Sequence, residues 1–149
     1  MNETLRDWHK YGWLIDHQSS RQEISDLLAI ADRDLRNAQI AELSSDWRMS
    51  IAYNAALQAA NAALAAAGYR AERNAHHYRL IQSLAYTINL DQIAIDQLEA
   101  FRKKRNVSNY TRPDTISQRE AETMVALAVR IRDAVVAWLP AHHADLWAG

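Results

Sequence analysis

The chain contains no cysteine, and this removes disulfide frameworks, thiolate metal sites and cysteine nucleophiles at once. Its three glycines form no phosphate-cradling loop, and with only two prolines they leave long stretches without a helix breaker. None of the six histidines stands in an H-E-x-x-H spacing, and the E-x-x-H pattern of two-metal helical bundles is missing as well. G-x-S-x-G is absent too, so covalent catalysis is not expected, and neither is a metal or other cofactor. The longest apolar tract, Ala55 to Ala67, is interrupted by Gln58 and Asn61 and falls short of the roughly 20 residues that span a bilayer. The N-terminal MNETLRDWHK has no secretory apolar run, and a cytoplasmic protein without membrane contact is expected. Excess charge of one sign is also lacking: 17 Lys and Arg against 18 Asp and Glu leave a net charge of -1. Any anion binding must then come from a local patch.

What the sequence does have is apolar residues repeating at three and four. This predicts an all-α fold, an up-and-down bundle of five to six helices in a single domain over 1–149, with its core at about 20–139 and a loose tail over 141–149. A first helix is expected from Thr4 to His17. A second opens on an S-x-x-E capping box, Ser20 and Glu23, and carries the stripe Ile24, Leu27, Leu28, Ala31, Leu35 and Ala38, with Arg33, Asp34, Arg36 and Asn37 toward water. The third starts at Ser44 or Ser45 and has ten alanines between Ala52 and Ala67. Side chains that small on several faces let neighbouring backbones approach from more than one side, so this is the expected central helix, ended by Gly68. A fourth is expected from Asn74, a fifth from Leu90, and a sixth, capped by Ser117 and Glu120, that stops at Pro140. The five tryptophans read as core and interface anchors.

Charge gathers only in Phe101 to Arg112, FRKKRNVSNYTR, where Arg102, Lys103, Lys104, Arg105 and Arg112 stand without an acid. Upstream, Ala94, Leu98 and Phe101 follow one helical face, and the next step of four lands on Arg105. A guanidinium in that register is partly desolvated, so it either pairs with a carboxylate or stands ready for a phosphate. The plain alternative is a solvated basic helix end that complements the helix dipole.

Several segments together resemble the HEPN domain. They are Asp46-Trp47 with Ala52-Tyr53-Asn54-Ala55-Ala56 and the alanine-rich run to Gly68-Tyr69-Arg70, then His76-His77, then Arg105-Asn106-Val107-Ser108-Asn109-Tyr110, within roughly Ser20 to Leu139. The resemblance implies a compact helical bundle, commonly homodimeric. It also implies a metal-independent endoribonuclease, or a partner of a small nucleotidyltransferase. In that family an arginine, often followed by a polar residue, precedes a histidine by four to six residues near the end of a long helix. Arg105 and Asn106 match, but Tyr110 stands where R-x4-H places histidine, as in the branch whose motif reads Arg-Asn-x-Ala-Asp-Tyr. A phenol of pKa about 10 is a poor base at pH 7, so RNA or nucleotide binding through Arg105, Asn106 and Tyr110 is expected, with cleavage slow or absent. Arg70 with His76 or His77 satisfies the bare spacing at a different helix junction and is a secondary candidate. An alternative role is a protein-interaction module that regulates or neutralises a nucleotidyltransferase or toxin. A third is a small-ligand bundle without nucleic acid.

Overall fold

The computed structural model describes residues 3–148, apart from the side chains of Asn109 and Tyr110. Its helices are α1 (Leu5–Lys10), α2 (Arg21–Ala38), α3 (Ser45–Ala66), α4 (His76–Thr87), α5 (Gln92–Tyr110) and α6 (Gln118–His142). Two short strands, β1 (Leu14–Asp16) and β2 (Tyr69–Ala71), pair antiparallel with Leu14 opposite Ala71. The architecture is an all-α bundle with one small ribbon. Among the described residues no helix is long and apolar enough to cross a membrane.

α3 occupies the centre. Its alanines at 52, 56, 59, 60, 62 and 63 are fully buried, and the helix packs chiefly on α2 and α6, then on α4 and α5. Methyl side chains leave no room between these backbones and give α3 no wet face, whereas α2 buries one stripe of Ile24, Leu28, Ala31, Leu35 and Ala38. Gly68 follows α3 with φ +100°, a conformation that favours glycine. The expected caps at Ser44 and Ser117 are present, and Glu120 returns to the Ser117 amide to complete a capping box.

Several expectations need correction. The first helix stops at Lys10 because Gly12 turns with φ +81° and residues 14–16 pair with β2 instead. α4 begins at His76, two residues later than expected. Ser20 caps α2 through the Glu23 amide, but the Glu23 carboxylate goes to His17 Nε2 at 2.6 Å, so the box is half formed. Asp34, placed toward water by the pattern, is buried, and it accepts hydrogen bonds from Asn54 Nδ2 (2.7 Å) and Arg33 Nε (3.1 Å). Pro140 does not end α6, which runs to His142. A proline in the last turn removes a single hydrogen bond, and the His143 amide still reaches the Leu139 carbonyl at 2.7 Å. Beyond it, where a loose tail was expected, residues Ala144–Leu146 form a 3-10 turn. Leu146 and Trp147 lie against the core, and Arg21 Nε donates to the Asp145 carbonyl at 2.6 Å.

Candidate functional site

α5 begins at the Asp91 cap, and Ala94, Leu98 and Phe101 are buried along the face the sequence indicates. The next position on that face is Arg105, which is half-buried. Its Cζ lies 5.3 Å from the centroid of the Tyr53 ring, a cation over an aromatic face. Its Nε is buried and has no hydrogen-bond partner among the described residues; Ser108 Oγ, one turn on, shares that condition. A buried N–H left without an acceptor costs about 1 to 3 kcal/mol, and this cost makes the position conspicuous.

The other cations of this stretch divide into two groups. Arg102 pairs with Glu99 on its own helix, Nη2 to Oε1 at 2.5 Å, and Lys104 pairs with Glu120 of α6. Lys103, Arg105 and Arg112 have no ion pair among the described residues. The stretch is therefore less positive than its sequence suggests, and its unpaired half-buried charge is Arg105. Asp46, at the start of α3, accepts the amides of Asp114 (2.6 Å) and Ile116 (3.1 Å), tying the turn after α5 to the central helix and holding the end of α5 in place.

Tyr53, fully buried on α3, presents its ring to Arg105 and its hydroxyl to His77 Nδ1 at 3.4 Å. Burial pushes the phenol well above its ordinary pKa, more than the nearby Arg105 and Arg102 lower it. His77 sits in the first turn of α4. Desolvation, then the positive charges of Arg105, His76 and Arg102, hold its pKa below the usual value, so its imidazole is neutral at pH 7. Arg102 and Asn106 on one side, and Ala75, His76, His77 and Tyr78 on the other, line a cleft of about 460 Å³ between α5 and α4. A larger cleft, about 870 Å³, adjoins it across the same two histidines and contains Arg70 and Arg73.

α4 starts without a side-chain cap. Ala75 precedes it with φ 55°, a left-handed conformation that costs a residue bearing Cβ about 1 kcal/mol. The amides of the first turn, with the positive end of the helix dipole, lie at the cleft wall formed by residues 75–78.

The fold thus gathers Arg102, Arg105 and Asn106 with His76 and His77, which the sequence kept apart as a secondary set. Arg70 lies on exposed β2 in the larger cleft. Lys103 and Arg112 are exposed and do not line the smaller cleft. The Tyr110 side chain lies outside the described residues. Sequence reasoning gave no site role to Tyr53 or Glu99. The available signal for Tyr53 was one large side chain with a polar tip inside an alanine run. No group of three or more His, Asp or Glu side chains suited to a metal occurs among the described residues.

In comparison with known proteins, the family described as the HEPN domain matches residues 24–138. No curated protein matches significantly.

Proposed function

Because the chain belongs to the HEPN domain family, we propose that it binds RNA or a nucleotide by its phosphate, in the cleft between α4 and α5. Arg105 and Arg102 supply positive charge, Asn106 supplies an amide donor, and the uncapped start of α4 supplies backbone N–H groups. The observation that carries this reading is Arg105 itself. Its guanidinium stacks on Tyr53, has no carboxylate partner among the described residues, and keeps Nε buried without an acceptor. A core role at this position would favour leucine or methionine. A purely electrostatic helix end would leave the group in water.

Arg105→Met tests it. The substitution keeps length and apolar packing while removing the charge, so the melting temperature is expected to hold or rise slightly. Affinity for single-stranded RNA at fixed salt is expected to fall by about 1.5 to 3 kcal/mol, roughly 10- to 150-fold. The slope of log affinity against log salt should also become shallower by about one phosphate contact. A collapsed melting temperature with unchanged affinity would instead make Arg105 a packing residue.

One observation favours a protein partner as a second reading. Ile93 is 81% exposed and Trp47 61% exposed, both apolar side chains on regular helices. A two-fold dimer would cover such groups. Light scattering at micromolar concentration is expected to give twice the 17.0 kDa chain mass. A monomer mass insensitive to salt would exclude it.

A further inference from the structure

We propose that His77, positioned by the buried Tyr53 hydroxyl, is the proton-transfer group of this cleft, and that with it the cleft cleaves single-stranded RNA although Tyr110 stands at the motif position. The inference rests on the phosphate-binding reading above and adds a reaction to it.

The geometry is that of a base with a fixed orientation. His77 Nδ1 meets the Tyr53 hydroxyl, and Tyr53 cannot move because its ring is enclosed by the core and covered by Arg105. In the tautomer that carries its proton on Nδ1, the ring donates to the phenol oxygen, and Nε2, on the opposite side of the ring, keeps its lone pair. Nε2 has no partner among the described residues, and His77 lines both clefts. Histidine and arginine are thus brought to one place from two helices, α4 and α5, and Tyr53 of α3 touches both.

The groups facing His77 keep it a base. Tyr53 comes from α3, His76 from its own helix, and Arg105 with the Glu99-bound Arg102 from α5. Across the larger cleft stand Arg70, Arg73 and Glu72, and beyond them the His17–Glu23 pair. The acids among these are set against cations: Glu99 holds Arg102 and Glu23 holds His17. Burial and the nearby guanidinium groups disfavour the imidazolium, so the neutral imidazole is present at pH 7.

The reaction is a transesterification at one phosphodiester. His77 Nε2 takes the proton of the 2′-hydroxyl, the 2′-oxygen bonds to the adjacent phosphorus, and the bond from phosphorus to the 5′-oxygen breaks. Water protonates the departing 5′-oxygen, and the imidazolium later returns its proton to solvent. No water is consumed overall, and the products are a 2′,3′-cyclic phosphate and a 5′-hydroxyl. Arg105 and Arg102 stabilise the charge that accumulates on the phosphoryl oxygens. The larger cleft gives the strand a continuation past the histidines toward Arg70 and Arg73, as cleavage within a chain requires.

The test uses the full chain and a mixed-sequence single-stranded RNA oligonucleotide in EDTA. Product ends, binding and melting temperature are followed for the wild type and for His77→Gln, Tyr53→Phe and Arg105→Met. The wild type is expected to yield cyclic-phosphate ends, and none from the 2′-O-methyl form of the same strand. Its rate should fall with pH only below about 6.5, because the His77 pKa lies under the ordinary histidine value. His77→Gln should lose about 10²- to 10⁴-fold in rate while still binding RNA and melting normally. Tyr53→Phe, which keeps the ring under Arg105, should lower the rate by a smaller factor and displace the acid limb of the pH profile. RNA binding without cleavage, or cleavage that survives His77→Gln, overturns this proposal and leaves the binding reading standing. Absence of RNA binding by the wild type overturns both.

Discussion

Tyr53→Ala is expected to destabilise the fold by about 3 to 5 kcal/mol, the range for emptying a buried aromatic position. The Tyr53 side chain is fully buried on the central helix, where the neighbours are mostly alanines too short to reach into the space the ring would leave. The substitution also takes the aromatic face from beneath Arg105, an interaction of about 0.5 to 2 kcal/mol for a partly desolvated cation. For a chain of this size, each kcal/mol moves the melting temperature by roughly 2 to 4 °C, so a fall of about 10 °C or more is the expected reading. Tyr53→Phe should cost under about 1 kcal/mol, because the bond it removes is long, at 3.4 Å. Equal melting temperatures for the alanine and phenylalanine variants would show that the ring does not hold this part of the core.

Ala60→Leu is the complementary change, expected to cost about 3 kcal/mol, the upper end for overpacking a filled core. Ala60 is fully buried on a helix that packs against four others. A branched butyl group there must push one of those backbones aside, since no wet face exists for it to turn toward. The same substitution at the exposed Ala29 of α2 should change stability by no more than about 0.5 kcal/mol. Urea denaturation of the two variants makes the comparison. A tolerated leucine at 60 would mean that α3 is less tightly enclosed than its burial indicates.

The parts of the fold legible in sequence are those where one local rule acts alone. The alanine run places α3 at the centre, Ser44 and Ser117 mark helix starts, and the 94, 98, 101 face identifies Arg105 as a polar group in an apolar register. The parts that escaped depend on partners distant in sequence. Glu23 has the spacing of a capping box, but His17, brought alongside by the ribbon, takes its carboxylate. Asp34 looks like a surface acid until Asn54, twenty residues on and on another helix, reaches it. Residues 14–16 are too few to show a strand by alternation and become one only because Tyr69–Ala71 lies beside them. The cleft was half visible for the same reason. Arg102, Arg105 and Asn106 share one helix, whereas the proximity of His77 to them passes through Tyr53 and appears only once three helices are packed.

The equal packing of α3 on α2 and on α6 also has a bearing on the order in which the chain assembles. α2 precedes α3 across the brief connection 39–44, so this hairpin closes a small loop at little entropic cost. α6 starts only after two further helices and must close a far larger one. Until it arrives, the opposite flank of α3 is a strip of bare methyl groups facing solvent. The segment that covers that strip is the same one whose Glu120 holds Lys104 and whose preceding turn is anchored by Asp46. Docking of α6 therefore closes the core and sets the basic end of α5 in a single event, so the charged cleft takes shape late, with the last large element to join.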